Sequence, residues 1–201
     1  PLNETELKSQ EIAAERIGQL ARAGRLDSAL TVSQQLPPES RSDLLCSAVT
    51  SLEAASPGAA EALIRHAFAD SAARKAPPPR CSAFAFPLGQ GELAIQALTS
   101  ADVDAYTGDG IGRSALDSFD DRFVNHSTVA ERAAVLALVR ERLPLTNQVA
   151  LVKSWAVVAD PRITVDFLDA LEQILAIVPK PGCPVDPLLP EAFNQIGRAH
   201  V

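Results

Sequence analysis

Residues 11–73 place apolar side chains at intervals of three and four, in segments that end at glycine or proline. This spacing puts the apolar side chains on one face of an α-helix. Gly24 is typical of a helix end, because glycine adopts the left-handed cap conformation at little cost. Pro37–Pro38 ends a second segment, and Ser56 before Pro57 is typical of an N-cap and first turn. We therefore predict four helices here, paired as two antiparallel hairpins.

The two predicted hairpins repeat one another. Leu20-x-x-Ala23 recurs as Leu52-x-x-Ala55, and other matches give an offset of 32 to 33 residues. Periods of this length are typical of solenoids built from helical hairpins. A generic helical bundle would produce the same pattern, so both arrangements remain open at this point.

Within residues 11–73, Ile17–Gly18 is followed by Gly24, by Ala29 five residues later, and then by a proline break. This segment resembles tetratricopeptide-type repeats. The resemblance implies a helical scaffold whose stacked hairpins offer an extended concave face to a protein or peptide partner. On that reading, exposed polar side chains on the first helix of each hairpin would bind the partner. The candidates are Glu15, Gln19 and Ser47.

The rest of the chain divides by composition. Residues 74–128 are rich in glycine and proline and predict an irregular connector with short helices. Residues 129–178 predict a cluster of apolar helices, introduced by a capping box of Thr128 and Glu131. Residues 179–194 form a proline-rich tail. The expected fold class is therefore all-α, with about seven or eight helices.

A loop at residues 102–113 supports an alternative function, that of a small all-α enzyme or ligand-binding domain. Its glycines match part of the dinucleotide-binding fingerprint, but that motif requires a preceding buried strand, and the acidic residues before it are a poor strand. A glycine turn before a helix at residues 114–123 is the favoured interpretation. The candidate ligand-binding residues are Asp104, Asp109, Gly110, Gly112 and Arg113.

Composition narrows the classes of function. The net charge is −7 and the arginines are scattered, so nucleic acid is a poor partner. No apolar run approaches the ~20 residues of a membrane span, so we expect no membrane association. His66 and His126 have no carboxylate or cysteine at catalytic or ligand spacing. We expect no cofactor and no metal, and a non-enzymatic role is favoured.

Cysteine usage and the chain ends bear on cellular context. Cys46, Cys81 and Cys183 are few and far apart, which predicts reduced thiols in a cytoplasmic protein. Fourteen arginines against four lysines indicate a GC-rich bacterial genome. The chain begins at Pro1 without methionine, and residues 195–201 resemble a translated sequencing adapter. We therefore expect a metagenomic fragment of a longer gene.

Overall fold

Nine α-helices and two 3-10 helices, without a β-strand, make up the described residues of the computed structural model. Those residues are 4–76, 78–100 and 115–176. The prediction of an all-α fold is confirmed. The chain divides into two units, Pro1–Asp102 and Val103–Val201. The proline-rich tail and the adapter-like end lie outside the described residues.

The first unit begins with four longer helices, followed by a short 3-10 helix and a fifth α-helix. The first α-helix starts earlier than the sequence pattern indicated, at Glu4 rather than near residue 11. The elements are α1 (Glu4–Arg22), α2 (Leu26–Gln34), α3 (Pro38–Leu52), α4 (Pro57–Arg74), a 3-10 helix (Ser82–Ala85) and α5 (Gly91–Ser100).

The described residues of the second unit, 115–176, contain four α-helices after a 3-10 helix. The predicted helix over residues 114–123 is wrong, because Asp120 interrupts it and starts a new helix, accepting a hydrogen bond from the Arg122 amide at 2.9 Å. The elements are a 3-10 helix (Ala115–Ser118), α6 (Asp121–His126), α7 (Val129–Arg142), α8 (Leu145–Val158) and α9 (Pro161–Ala176).

Helices α1 to α4 pack as two consecutive hairpins. Helix α1 contacts both α2 and α3, and α3 packs along α4. Ser42, near the start of α3, meets Ser71, near the end of α4, with 2.9 Å between the hydroxyl oxygens, so this pair is antiparallel. Helix α1 runs parallel to α3: the Gln10 amide nitrogen donates to the Ser40 hydroxyl at 3.4 Å, and Gly18 lies against Ser51.

Several helix ends form as their residues predict. Gly24 has φ of +74°, and the Arg25 amide donates to the Leu20 carbonyl at 2.9 Å, which is a Schellman cap. Thr128 and Glu131 form the predicted capping box, with bonds of 3.2 and 2.7 Å. Ser56 occupies the N-cap of α4, but its side chain makes no capping hydrogen bond. The predicted N-cap position of Ser56 is therefore confirmed.

The prediction of reduced thiols is wrong for Cys46 and Cys81. They form a disulfide that links α3 to the turn before the 3-10 helix, with 5.1 Å between the Cα atoms and 35 residues between them in sequence. Both cysteines are buried. The pairing depends on the fold bringing distant residues together, so spacing alone could not indicate it. Cys183 lies outside the described residues.

The core of the second unit is aromatic. The rings of Phe119 and Phe123 lie 4.9 Å apart, as do those of Phe123 and Trp155, and Phe167 lies 6.0 Å from Trp155. Trp155 is 1% exposed, and its indole N–H donates to the Phe119 carbonyl at 3.1 Å. A buried tryptophan with a satisfied N–H and aromatic neighbours on several elements is a packing residue.

Candidate functional site

The exposed side of α1 carries two of the three predicted partner-binding residues. Ala14, Ile17 and Ala21 are buried, while Glu15 and Gln19 are exposed. Residues four apart lie one turn above each other on a helix. Accordingly, the Gln19 side-chain amide donates to the Glu15 carboxylate at 3.0 Å. The two residues therefore form one polar row along the helix.

Ile12 lies on the same exposed side of α1, and its side chain is 66% exposed. It stands three residues before Glu15 and seven before Gln19, the spacing of a single helix face. This side of α1 therefore combines one large apolar side chain with two polar ones. Ile12 was not among the predicted partner-binding residues, although its position outside the buried stripe of α1 follows from the helical periodicity.

Ser47, the third predicted residue, is exposed on α3. Its hydroxyl donates to the Asp43 carbonyl one turn earlier, at 3.1 Å. A Cβ placed on Gly18 would come within 3.0 Å of the Ser51 hydroxyl, so the two parallel helices approach closely there. Ser47 lies one turn before Ser51, and Glu15 nearly one turn before Gly18. We call Ile12, Glu15, Gln19 and Ser47 together the α1–α3 surface.

A network of ionic and hydrogen bonds joins helices α2, α3 and α4 of the two hairpins. Arg41 donates to Asp70 at 2.9 Å and to three carbonyls at the end of α2, at 3.1 to 3.2 Å. Arg74 donates to the same carboxylate at 2.9 Å and to the Ser42 hydroxyl at 2.8 Å. The Arg41–Asp70 and Arg74–Ser42 contacts join residues 29 and 32 apart, so they fix α3 against α4, and the other Arg41 bonds attach the end of α2.

The network shifts the titration of Asp70. Burial by itself raises the pKa of this carboxyl, but hydrogen bonds and positive charge from Arg74 and Arg41 outweigh burial and lower the pKa below its ordinary value. Asp70 is therefore ionised in the folded protein at neutral pH. The arrangement stabilises the hairpins, and it could not be predicted from the sequence, because its partners meet only after the helices pair.

A cavity of about 360 Å³ lies between α4, the Pro78–Pro79 segment and α5. Its walls are largely apolar, and Arg65 and Gln96 contribute the longest polar side chains of the lining. Cavities of a few hundred Å³ with apolar walls and a few polar groups are typical of small-ligand sites. This cavity was not anticipated from sequence, since its walls come from three separate segments.

The second unit has a polar recess of about 450 Å³ at the junction of α6, α8 and α9. Its polar groups serve the fold. The Asn125 amide donates to the Val158 carbonyl at 3.1 Å, and its oxygen accepts from the Asp160 amide at 2.8 Å. Asp160 in turn caps α9 by accepting a hydrogen bond from the Arg162 amide at 3.0 Å. Neither His126 nor Trp155 lines this recess, so the recess does not bring these two side chains together in one ligand-binding site.

The candidate ligand-binding residues of the alternative function all lie outside the described residues. They are Asp104, Asp109, Gly110, Gly112 and Arg113. Among the residues that are described, no group of three or more His, Cys, Asp or Glu side chains could hold a metal ion.

No helix within the described ranges is both long enough and apolar enough to cross a bilayer. Comparison with protein-family models, with curated proteins and with solved structures gives no match.

Proposed function

We propose that this chain is a helical scaffold of a larger bacterial protein, and that its α1–α3 surface binds a protein or peptide partner. The observation that carries the proposal is Ile12. Its side chain is 66% exposed in the same row as the exposed Glu15 and Gln19. An apolar anchor surrounded by polar groups is the usual composition of a protein-binding surface.

The packing of the hairpins supports this role. Helices α1 and α3 are parallel neighbours, so their exposed sides can be contacted by one ligand. This arrangement also supports the proposal that the two hairpins are tetratricopeptide-like repeats. Two hydrogen bonds, from Gln10 to Ser40 and from Arg22 to the Ser51 carbonyl at 3.1 Å, join α1 to α3 before any partner arrives. A pre-organised surface loses less conformational entropy when it binds.

The side chains of the α1–α3 surface indicate which chemical groups the partner carries. Ile12 requires an apolar side chain opposite it, and the Glu15 carboxylate requires a hydrogen-bond donor or a cation. The net charge of −7 favours a protein partner over nucleic acid. The Cys46–Cys81 disulfide counts against the expected cytoplasmic location, because cytosolic reductants keep most thiols reduced. We therefore propose an oxidising compartment.

The test has two steps. A photo-crosslinking residue at position 12 captures the partner, with position 165 as the matched control, since Val165 is an exposed β-branched residue of the second unit. The identified partner is then titrated against purified variants. Ile12→Asp should weaken binding by about tenfold or more, since loss of an apolar anchor costs about 2 kcal/mol. Val165→Asp should leave binding unchanged.

Two outcomes would overturn the proposal. One is crosslinking at position 165 as strong as at position 12. The other is a captured partner whose affinity is the same for Ile12→Asp as for the wild-type chain.

A further inference from the structure

The cavity of the first unit offers an apolar lining on three sides. Phe68 and Ala72 of α4 form one wall, Leu93 and Ala97 of α5 form another, and Pro79 contributes to the third. Phe68 and Pro79 are buried, whereas Ala72 is exposed, so the lining runs from the core to the surface. A ligand entering here could therefore bury an apolar body and keep one end in water.

Arg65 provides a polar group at the exposed part of this lining. Its Nε donates to the Glu61 carboxylate at 3.1 Å, and the same oxygen accepts from the Gln90 amide at 3.1 Å. The two terminal nitrogens of Arg65 have no hydrogen-bond partner among the described residues. A guanidinium presents these N–H groups as a planar fork that matches a carboxylate.

The third wall is fixed before any ligand binds. The Pro79 carbonyl accepts hydrogen bonds from both the amide and the hydroxyl of Ser82. Cys81, two residues after Pro79, is covalently joined to Cys46 of α3. These links hold the turn against α3, so binding need not order this segment.

We propose that this cavity binds a small amphipathic carboxylate, whose hydrocarbon chain lies among Phe68, Leu93 and Ala97 and whose carboxylate meets the Arg65 fork. The volume sets the size of the ligand. At roughly 30 Å³ for each water-sized group, the cavity of about 360 Å³ accommodates about ten to twelve non-hydrogen atoms. Octanoate has this size. The proposal goes beyond partner binding at the α1–α3 surface, since it uses different residues.

The test is calorimetric titration of the intact, oxidised chain with octanoate and with 1-octanol, which shares the chain length and lacks the charge. Arg65→Gln should weaken octanoate binding about tenfold, the loss expected for one charge-assisted contact. The same variant should leave 1-octanol binding unchanged. Arg16→Gln, on the exposed side of α1, is the matched control and should bind octanoate like the wild-type chain.

A second pair of variants tests the location. Ala72→Phe should fill the cavity and abolish binding of both ligands, whereas Ala73→Phe alters an exposed neighbour outside the lining and should have no effect. Ala97→Leu fills the cavity from α5 and serves if Ala72→Phe does not fold. Octanoate binding that is equal in wild type and Arg65→Gln overturns the proposal. So does binding that survives the cavity-filling variants, or its absence from the wild-type chain at about 10 mM ligand.

Discussion

The two units of this chain are stabilised in different ways. In the first unit, aliphatic side chains such as Leu45 and Leu63 and small ones such as Ala60 are buried between helices, and a disulfide and an ionic network cross-link the elements. In the second unit, four aromatic side chains pack together, and the buried Arg132 pairs with Asp166 at 2.8 Å to join α7 to α9.

The difference follows from how much surface a side chain can bury. An aromatic residue buries about 150–250 Å² and supplies a large part of a core by itself. Alanine and glycine let helices approach closely but bury little, so each position contributes less. The first unit therefore gains more from specific links between elements, and the second from a few large side chains.

The largest effect is expected for Trp155→Ala in the second unit. The change removes a 1% exposed side chain at the centre of the aromatic cluster, so it should destabilise this unit by about 4 kcal/mol. Peptide-resolved hydrogen exchange should show lost protection in α8 and α9 and unchanged protection in α3 and α4. Trp155→Phe, which keeps an aromatic ring, should cost less. Equal losses in both units would contradict the existence of two separate cores.

Removal of the disulfide should cause the next largest loss of stability, and this loss should occur in the first unit. The Cys46→Ala/Cys81→Ala variant frees a cross-link across 35 residues, so it should lose about 3 kcal/mol of unfolding free energy. Denaturant unfolding followed by hydrogen exchange measures this loss. Treatment of the wild-type chain with a dithiol reductant should reproduce it. Stability that is identical before and after reduction would show that the cross-link contributes nothing.

Asp70→Asn should destabilise the first unit by about 2 kcal/mol at neutral pH, because it leaves Arg41 and Arg74 without their carboxylate. The effect stays below that of a fully buried pair, since the two arginine side chains remain 17% and 25% exposed. Denaturant midpoints of the variant and the wild-type chain measure it.

The Asp70 contribution should also depend on pH. Its folded pKa is lowered, so the stabilisation is present above the unfolded pKa of about 3.9 and is lost as the pH falls through the folded value. The difference between wild type and Asp70→Asn should therefore shrink as the pH is lowered from about 5 to 2. A difference that stays constant over this range would contradict the lowered pKa.

The smallest effect compares two helix starts. Thr128→Ala should cost about 1 kcal/mol, because it removes the side-chain bond to the Glu131 amide. Ser56→Ala is the matched control and should cost less, since the Ser56 side chain makes no capping bond. Thermal unfolding of both variants provides the measurement. Equal costs would mean that the bond at Thr128 carries no stability.

The sequence predicted those features that depend on neighbours in the chain. Gly24 and Thr128 indicated helix ends, because a cap is made within a few residues. The all-α fold followed from periodicity. Features that need two distant segments were missed, namely the Cys46–Cys81 link and the partners of Asp70. Glu15, Gln19 and Ser47 were placed on the exposed sides of two helices by geometry, and their role in binding remains a prediction.

Gly18 affects the geometry of the α1–α3 surface although it is not one of that surface's residues. Its missing Cβ sets the separation of α1 from α3, and a methyl group there would meet the Ser51 hydroxyl at 3.0 Å. That hydroxyl already donates to the Ala48 carbonyl at 2.8 Å, so either the hydroxyl turns away from this bond or the two helices separate by a few tenths of an ångström. If the helices separate, alanine in place of Gly18 changes the distance between Glu15 and Ser47 while leaving both side chains intact. Affinity for a partner could be adjusted from inside the protein.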